Sequence, residues 1–410
     1  MRRARILIAA TVATMAVACG NSTPSSHVAQ PAPAVVQYNW GPTSADVERA
    51  RSLISGWDSD RLAGQLIVGR FKGTDPAVAA DLVRRLHLAG MSVQGSNVTD
   101  AAQVRALTKA ITDAEHADGR DFPPIIGVDQ EGGTVEHLRG IATEFPPFAA
   151  AGATIEADPV TGPKVVQEAA RTLGLELRDF GFTWVFAPDA DVTIGPGDVT
   201  IGTRSASRNA DTASKAVSAA ITGYHDAGIV GTPKHFPGHG SATTDSHVSL
   251  PNISKSMDQL RNVDLKPFES AIQAGANAVM VGHLNVQAVA PGMPSTLAPE
   301  IYNLLRDDLK FEGVVLTDSM GMGAVMKRDQ PEVSALLAGA DLVLMPADPA
   351  IAHTAIKAAI DSGKLPKEQV IDKVAKVIAL QMWQQRVADE KAIPADISTQ
   401  AARAASALEW

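Results

Sequence analysis

The segment of this chain richest in chemical groups places a lysine, two histidines and an aspartate–histidine pair within fourteen residues. It runs from Lys234 to His247 and reads KHFPGHGSATTDSH. Asp245 and His247 are two residues apart, so both side chains face the same way in an extended segment. A carboxylate beside an imidazole favours the protonated ring and fixes its orientation, which makes His247 a candidate proton donor and acceptor. A purely structural Asp–His pair is the alternative.

Two further histidines in this segment have a spacing that suggests zinc at first sight. His235 and His239 are four residues apart, which on a helix would place both rings on one face. Pro237, Gly238 and Gly240 prevent a regular helix here. We therefore predict a sharply bent loop and no metal site.

Two aspartates directly follow apolar runs that are typical of β-strands. Asp318 lies in LTDSMGM, and Asp129 lies in GVDQEGG, where paired glycines would let the backbone approach a ligand closely. From residue type alone, Asp318 could be a nucleophile, a base or a metal ligand.

Composition and missing motifs exclude several other functions. The 410 residues carry 36 Lys and Arg against 45 Asp and Glu, a net charge of −9, which argues against binding to nucleic acid. The single cysteine excludes an intrachain disulfide. The chain has no phosphate-binding P-loop, no dinucleotide fingerprint and no G-x-S-x-G elbow, and we expect no cofactor.

Eight short apolar runs alternate with amphipathic helical stretches, and polar residues cluster directly after the runs. Such alternation predicts parallel strands with right-handed crossovers. An open doubly wound sheet is possible, but the count of eight favours a single (β/α)₈ barrel, in which these polar residues share one rim. The predicted strands are Leu66–Phe71, Gly90–Gly95, Pro124–Val128, Phe182–Ala187, Ile229–Thr232, Ala278–Val281, Gly313–Thr317 and Leu342–Met345.

The first nineteen residues have the features of an export signal. Three arginines precede an apolar run from Ile6 to Ala18, which is too short to span a bilayer, and the only cysteine, Cys19, follows directly. We predict a signal peptide over residues 1–18, acylation (palmitate) at Cys19, and a flexible tether over 19–45 that holds the protein on the outer face of the cell membrane. Ordinary cleavage and secretion is the alternative. The barrel is predicted over 46–390 and a C-terminal tail over 391–410.

Four motifs together resemble family 3 glycoside hydrolases, and in particular the bacterial β-N-acetylhexosaminidases that act in peptidoglycan turnover. They are KHFPGHG-x₄-DSH, VDQEGG, IGTRS and TDSM, and they occur in the family's order between about Val47 and Arg386. The membrane-tethered form is similar to actinobacterial lipoproteins of this family.

The resemblance implies a barrel and a retaining, two-step hydrolysis of terminal N-acetyl-β-glucosaminides. It assigns Asp318 as the nucleophile, His247 as the acid/base and Asp245 as its partner. Positions that hold the sugar hydroxyls and the N-acetyl group match Asp129, Arg204, Lys234 and His235.

The chain departs from the family pattern on one side of the site. His137 and Thr134 stand where many members have arginine, and Arg139 is a possible substitute. Only 92 residues follow Asp318, enough for the last barrel units and a helix from Pro366 to Arg386 but not for the second domain of larger relatives. We therefore expect a one-domain enzyme, acting as a monomer.

Two other functions stay open. A histidine repels an incoming anion less than a carboxylate does, so phosphate could replace water and make the protein a phosphorylase. A tethered lipoprotein could also be a non-catalytic sugar-binding protein, although simple binding needs no Asp–His pair beside a reactive carboxylate.

Overall fold

The computed structural model describes residues 35–198, 200–242, 244 and 249–410, and its compact unit runs from Val35 to Trp410. The predicted signal peptide and Cys19 lie outside these residues, as do Asp245 and His247. Among the helices that the structure describes, none combines the length and the apolar character needed to cross a bilayer.

All eight predicted strands form, and they pair in parallel in a single sheet. Around the sheet the order is β5–β4–β3–β2–β1–β8–β7–β6, so each strand lies beside its neighbours in the chain and β8 lies beside β1. The prediction of a (β/α)₈ barrel is confirmed. The strands are β1 Ile67–Gly69, β2 Gly90–Val93, β3 Ile125–Val128, β4 Trp184–Val185, β5 Val230–Gly231, β6 Ala278–Val281, β7 Val314–Ser319 and β8 Leu342–Leu344.

The segment after β5 closes the remaining gap between β5 and β6. Met280 N donates to Pro233 O at 3.1 Å, Phe236 N donates to Met280 O at 2.8 Å, and Gly282 N donates to Phe236 O at 3.0 Å. The KHFPGHG segment is therefore part of the barrel wall where it begins, which fixes its first residues relative to β6.

Strand residues alternate between the barrel interior and the surrounding helices, as a two-residue period requires. Val68, Trp184 and Leu316 pack inside with other inward-facing side chains. Their neighbours Ile67 and Val185 pack outward against the helices. Because both faces of every strand are buried, the strands read in the sequence as continuous apolar runs.

Thirteen helices surround or close the barrel in the part of the chain described. The segment between β5 and β6 includes a helical turn at Met257–Gln259, which is followed by a π-helical turn at Leu260–Asp264. The helices are α1 Ser44–Ile54, α2 Ser59–Gly64, α3 Pro76–Arg85, α4 Ala101–Ala117, α5 Ala149–Ala157, α6 Gly162–Asp179, α7 Ala210–Ala227, α8 Lys266–Gln273, α9 Pro299–Asn303, α10 Pro331–Ala338, α11 Pro349–Asp361, α12 Lys367–Glu390 and α13 Ile397–Ser406.

Helix α12 covers the amino end of the barrel. Its Leu380 and Trp383 join the interior cluster of strand side chains. Gln381 Nε2 donates to Pro123 O and Gln384 Nε2 donates to Gly228 O, both at 2.8 Å, just before β3 and β5 begin. Helix α12 therefore closes the interior of the barrel at its amino end.

The compact unit extends beyond the predicted bounds of 46 and 390 at both ends. Trp40, which the prediction placed in the tether, is buried in the interior cluster, and its carbonyl accepts a hydrogen bond from Asn277 Nδ2 at 2.8 Å. The predicted tail contains α13, whose buried face includes Ile397 and Ala401. Small alanine side chains form most of that face, so its apolar periodicity is weak in the sequence.

Candidate active site

A cleft of about 490 Å³ opens at the carboxyl ends of the strands, where barrels of this kind bind their ligands. Residues from or after every strand line it, because parallel strands bring all eight carboxyl ends to one rim. The charged and histidine side chains of the lining are Arg70, Asp129, Glu136, His137, Arg204, Lys234, His235, His239 and Asp318.

Asp318 lies near the end of β7, with its carboxylate Oδ1 accepting a hydrogen bond from Ser319 N at 2.7 Å. Burial alone would raise the pKa of this carboxyl, but the neighbouring His235 and His283 side chains and the Ser319 N–H bring it below its ordinary range. Asp318 is therefore ionised at neutral pH, as a nucleophile must be.

His283 fixes the strand end that carries Asp318. Its Nε2 lies 2.9 Å from the carbonyl oxygen of Ser319, to which it donates a hydrogen bond. Its Nδ1 lies 2.7 Å from the hydroxyl of Thr296. The ring is buried and follows β6, so it connects the ends of two neighbouring strands.

A buried ionic network faces the cleft from the opposite side. Lys234 Nζ lies 2.5 Å from Asp129 Oδ1 and 2.6 Å from Glu131 Oε1. Arg204 binds the same Glu131 with two parallel bonds of 2.8 Å. Despite burial, the two cations hold the pKa of Glu131 well below its ordinary range, and the carboxylates raise the pKa of Lys234. Glu131, Lys234 and Arg204 are therefore charged at neutral pH.

Behind this network, Asp191 organises the KHFPGHG segment. Its Oδ2 lies 2.8 Å from His235 Nδ1, and its Oδ1 accepts hydrogen bonds from the backbone N–H groups of His235 at 3.3 Å and of His239 at 2.6 Å. Burial and the neighbouring Asp191 raise the pKa of Asp189, whereas the histidines lower that of Asp191. Of the two carboxyls, Asp189 is therefore the weaker acid.

Among the described residues, Asp189, Asp191 and His235 form the cluster that could hold a metal ion. Ligand atoms of Asp189, Asp191 and His235 all lie within 4.8 Å of one another. Both Asp191 oxygens already accept hydrogen bonds from protein donors, so the fit to a metal is poor. The cluster serves to position His235 and the loop behind it.

The model for the N-terminal domain of glycosyl hydrolase family 3 matches residues 60–380. The chain belongs to this family. The β-hexosaminidase LpqI of Mycobacterium tuberculosis is 31% identical over 92% of this chain and 96% of its own length. The Beta-hexosaminidase A of Pseudoalteromonas piscicida is 30% identical over 75% of this chain, which spans about half (55%) of that protein.

Solved structures of family 3 proteins agree with the barrel. A β-N-acetylglucosaminidase from Paenibacillus superposes with a TM-score of 0.77, at 30% identity, over 85% of this chain and 68% of its own. LpqI of M. tuberculosis superposes with a TM-score of 0.71, at 30% identity, over 81% of this chain and 96% of its own. The protein is a family 3 glycoside hydrolase.

The structure brings together five of the seven predicted site residues in the family 3 cleft: Asp129, Arg204, Lys234, His235 and Asp318. The other two, Asp245 and His247, lie outside the described residues and stay predictions.

The departures from the family 3 pattern can be located. His137 and Thr134 both line the cleft, and His137 Nε2 lies 3.9 Å from Asp129 Oδ2. Arg139 does not take the place of an arginine there, because it lies outside the lining and pairs with Glu136 at 3.2 Å and Glu144 at 3.4 Å. The suggestion that Arg139 substitutes is therefore wrong.

The sequence assigned no individual role to three residues of the site: Arg70, Glu131 and Asp191. Glu131 and Asp191 were expected only as polar residues on the functional rim. Arg70 directly follows β1 and lines the cleft, so the rule that polar residues after strands share a rim could have found it. Glu131 and Asp191 follow β3 and β4, but their partners are far away in the sequence and depend on which strands are adjacent.

Removing the negative charge of Glu131 is expected to destabilise the fold. Glu131→Gln leaves Arg204 and Lys234 without their shared counter-charge, and breaking a buried ion pair in this way lowers the free energy of unfolding by about 3–5 kcal/mol. Because folding lowers the pKa of Glu131, its contribution is complete above the unfolded pKa of about 4.3 and declines as the pH falls toward the folded pKa. Urea unfolding between pH 3.5 and 7 measures both effects.

The matched control is Glu168→Gln. Glu168 pairs with Arg171 at 2.6 Å on the exposed side of α6, where loss of an ion pair changes the unfolding free energy by less than about 1 kcal/mol. Equal destabilisation by the two substitutions would contradict the role given to the buried network.

Proposed function

We propose that the protein is an exo-acting, retaining β-N-acetylglucosaminidase that releases terminal N-acetylglucosamine from β-linked glycosides, with peptidoglycan fragments as its physiological substrates. The observation that carries the proposal is the ionised Asp318 in a cleft whose opposite wall holds fixed charged groups. The names of the relatives, β-hexosaminidase and β-N-acetylglucosaminidase, support the activity.

In the first step, the Asp318 carboxylate attacks the anomeric carbon as the bond to the leaving oxygen breaks. His247 gives its proton to that oxygen, and a covalent glycosyl–enzyme ester results. In the second step, His247 removes a proton from water, the water oxygen attacks the same carbon, and the carboxylate leaves. Two inversions return the sugar in its original β configuration.

Fixed charges in the cleft suit the recognition of a neutral sugar. Asp129 offers carboxylate oxygens to hydroxyl donors, while Lys234, His235 and Arg204 offer N–H donors. Because these groups are held by Glu131 and Asp191, they need little reorganisation when the sugar binds.

Product analysis tests the reaction class. The disaccharide N-acetylglucosaminyl-β-1,4-N-acetylmuramic acid should yield free N-acetylglucosamine at the same rate with and without 10-fold excess inorganic phosphate. Accumulation of N-acetylglucosamine 1-phosphate would show that the protein is a phosphorylase. Saturable binding without any product over hours would show a binding protein instead.

We propose, in addition, that the protein is exported and anchored to the outer face of the cell membrane through an acylated Cys19. The support is the position of the chain's only cysteine directly after an apolar segment. Cys19→Ser should move the expressed protein from the detergent phase to the aqueous phase in Triton X-114 partitioning, because one thioether-linked lipid and its acyl partner supply the anchor. Ser25→Ala, a change within the predicted tether, is the control. Unchanged partitioning of Cys19→Ser would contradict lipidation.

A further inference from the structure

One cation of the cleft has no counter-charge in the structure. Arg70 is half-buried at the carboxyl end of β1, and it makes no hydrogen bond or ion pair with any of the described residues. The other cations with fixed charge in the lining are paired: Lys234 with Asp129 and Glu131, and Arg204 with Glu131.

The barrel places Arg70 across the cleft from the paired network. β1 and β5 lie on opposite sides of an eight-stranded ring, and Lys234 follows β5. On its own side of the cleft, Arg70 packs against Gly321. Its Nη1 lies 2.7 Å from the position that a Cβ atom on Gly321 would occupy. Gly321 lies three residues after Asp318, so the guanidinium group lies against the turn that follows the nucleophile.

Two uncharged residues, Gln94 and Met345, line the cleft from the strands on either side of β1. Gln94 follows β2 and already donates through Nε2 to Ser92 Oγ at 2.9 Å and to Met345 Sδ at 3.3 Å. Met345 follows β8 and is apolar. A half-buried guanidinium group flanked by a glycine, an occupied amide and a thioether is well suited to bind a planar anion with two parallel hydrogen bonds.

We propose that Arg70 binds a carboxylate on the leaving-group side of the substrate, so that the enzyme prefers glycosides whose aglycone is anionic. The inference rests on the proposed function. N-acetylglucosamine itself is neutral, and an exo-acting enzyme removes it from the chain end, so an anionic group on the substrate must belong to the part that leaves. A muramic acid residue carries such a carboxylate on its lactyl ether.

The test compares two substrates that differ by one charge: N-acetylglucosaminyl-β-1,4-N-acetylmuramic acid and its lactyl methyl ester. Wild-type protein should have the higher kcat/KM for the free acid. Arg70→Met should reduce the acid-to-ester ratio of kcat/KM by about 10- to 100-fold, because a hydrogen-bonded charge is lost. Arg70→Lys should recover part of the ratio.

Lys72→Met is the matched control, since Lys72 is an exposed cation two residues further on that does not line the cleft. It should leave the ratio unchanged. An unchanged ratio in Arg70→Met overturns the proposal. So does competitive inhibition by inorganic phosphate that disappears in Arg70→Met without a change in the ratio, because the anion bound would then be free phosphate. If wild-type protein cleaves neither disaccharide nor an aryl N-acetyl-β-glucosaminide, it is the proposed function that fails.

Discussion

Replacing Asp318 by Asn should lower kcat for an aryl N-acetyl-β-glucosaminide by about 10⁴-fold or more, because a neutral carboxamide cannot form the glycosyl ester. The substitution keeps the shape of the side chain. The Ser319 N–H can still donate to the amide oxygen, so we expect the folded state to persist. Chromophore release and far-UV circular dichroism measure the two quantities.

Asp341→Asn is the matched control for a buried aspartate. Asp341 lies just before β8, at the opposite end of the barrel, where Arg306 Nη2 contacts its carboxylate at 2.7 Å. This variant should lose stability and keep its turnover per folded molecule. In Asp318→Gly, azide should restore turnover of a dinitrophenyl glycoside and yield the α-glycosyl azide, since azide enters from the side that the carboxylate has left. Wild-type turnover in Asp318→Asn would show that Asp318 is not the nucleophile.

The loss of kcat/KM caused by His247→Ala should depend on the leaving group of the substrate. Glycosides with poor leaving groups should lose about 10²- to 10⁴-fold in kcat/KM, because they need a proton on the departing oxygen. A 2,4-dinitrophenyl glycoside, whose leaving group departs as an anion, should lose far less. The limb of the pH profile that reports the free acid should also disappear.

His225→Ala supplies the comparison for loss of an imidazole elsewhere. His225 lies near the end of α7 and stacks on Trp383 of α12, with ring centroids 5.1 Å apart, at the closed end of the barrel. His225→Ala should lower kcat/KM by the same factor for all substrates, or leave it unchanged. A uniform loss across leaving groups in His247→Ala would show that this histidine is not the general acid.

The barrel could be predicted from the sequence because strands buried on both faces read as uninterrupted apolar runs. The lengths of two strands could not be predicted in this way. The runs Phe182–Ala187 and Ile229–Thr232 shrink to the two-residue ladders of β4 and β5. Pro188 and Pro233 follow them directly, and a proline has no N–H to continue a ladder.

Helix α11 shows how one residue type can serve two purposes. Asp348 follows β8, so the rule that polar residues after strands share a rim would place it in the site. In the structure its carboxylate instead accepts hydrogen bonds from Ala350 N at 2.8 Å and Ile351 N at 3.1 Å and begins α11. The Asp-Pro pair at 348–349 is a recognisable start signal for a helix.

The five site residues in the cleft could be predicted because each belongs to a short motif. Four of these residues lie at or just after a strand end, and Arg204 lies in the long loop after β4. The electrostatic partners could not be predicted in the same way. Glu131 and Arg204 are 73 positions apart, and their bidentate contact exists only because β3 and β4 are neighbours. Arg70 carries no motif at all, and only its place on the rim gives it a function.

The way in which α12 fills one end of the cylinder also sets the order in which the molecule is completed. Until α12 (Lys367–Glu390) has been synthesised, Val68, Trp184 and the other interior side chains are exposed to water at the amino end of the barrel. A ribosome must therefore make 390 of the 410 residues before the barrel can close. A protein built in this way stays unfinished throughout most of its synthesis, which would suit the export proposed above, through a narrow secretion channel as an extended chain.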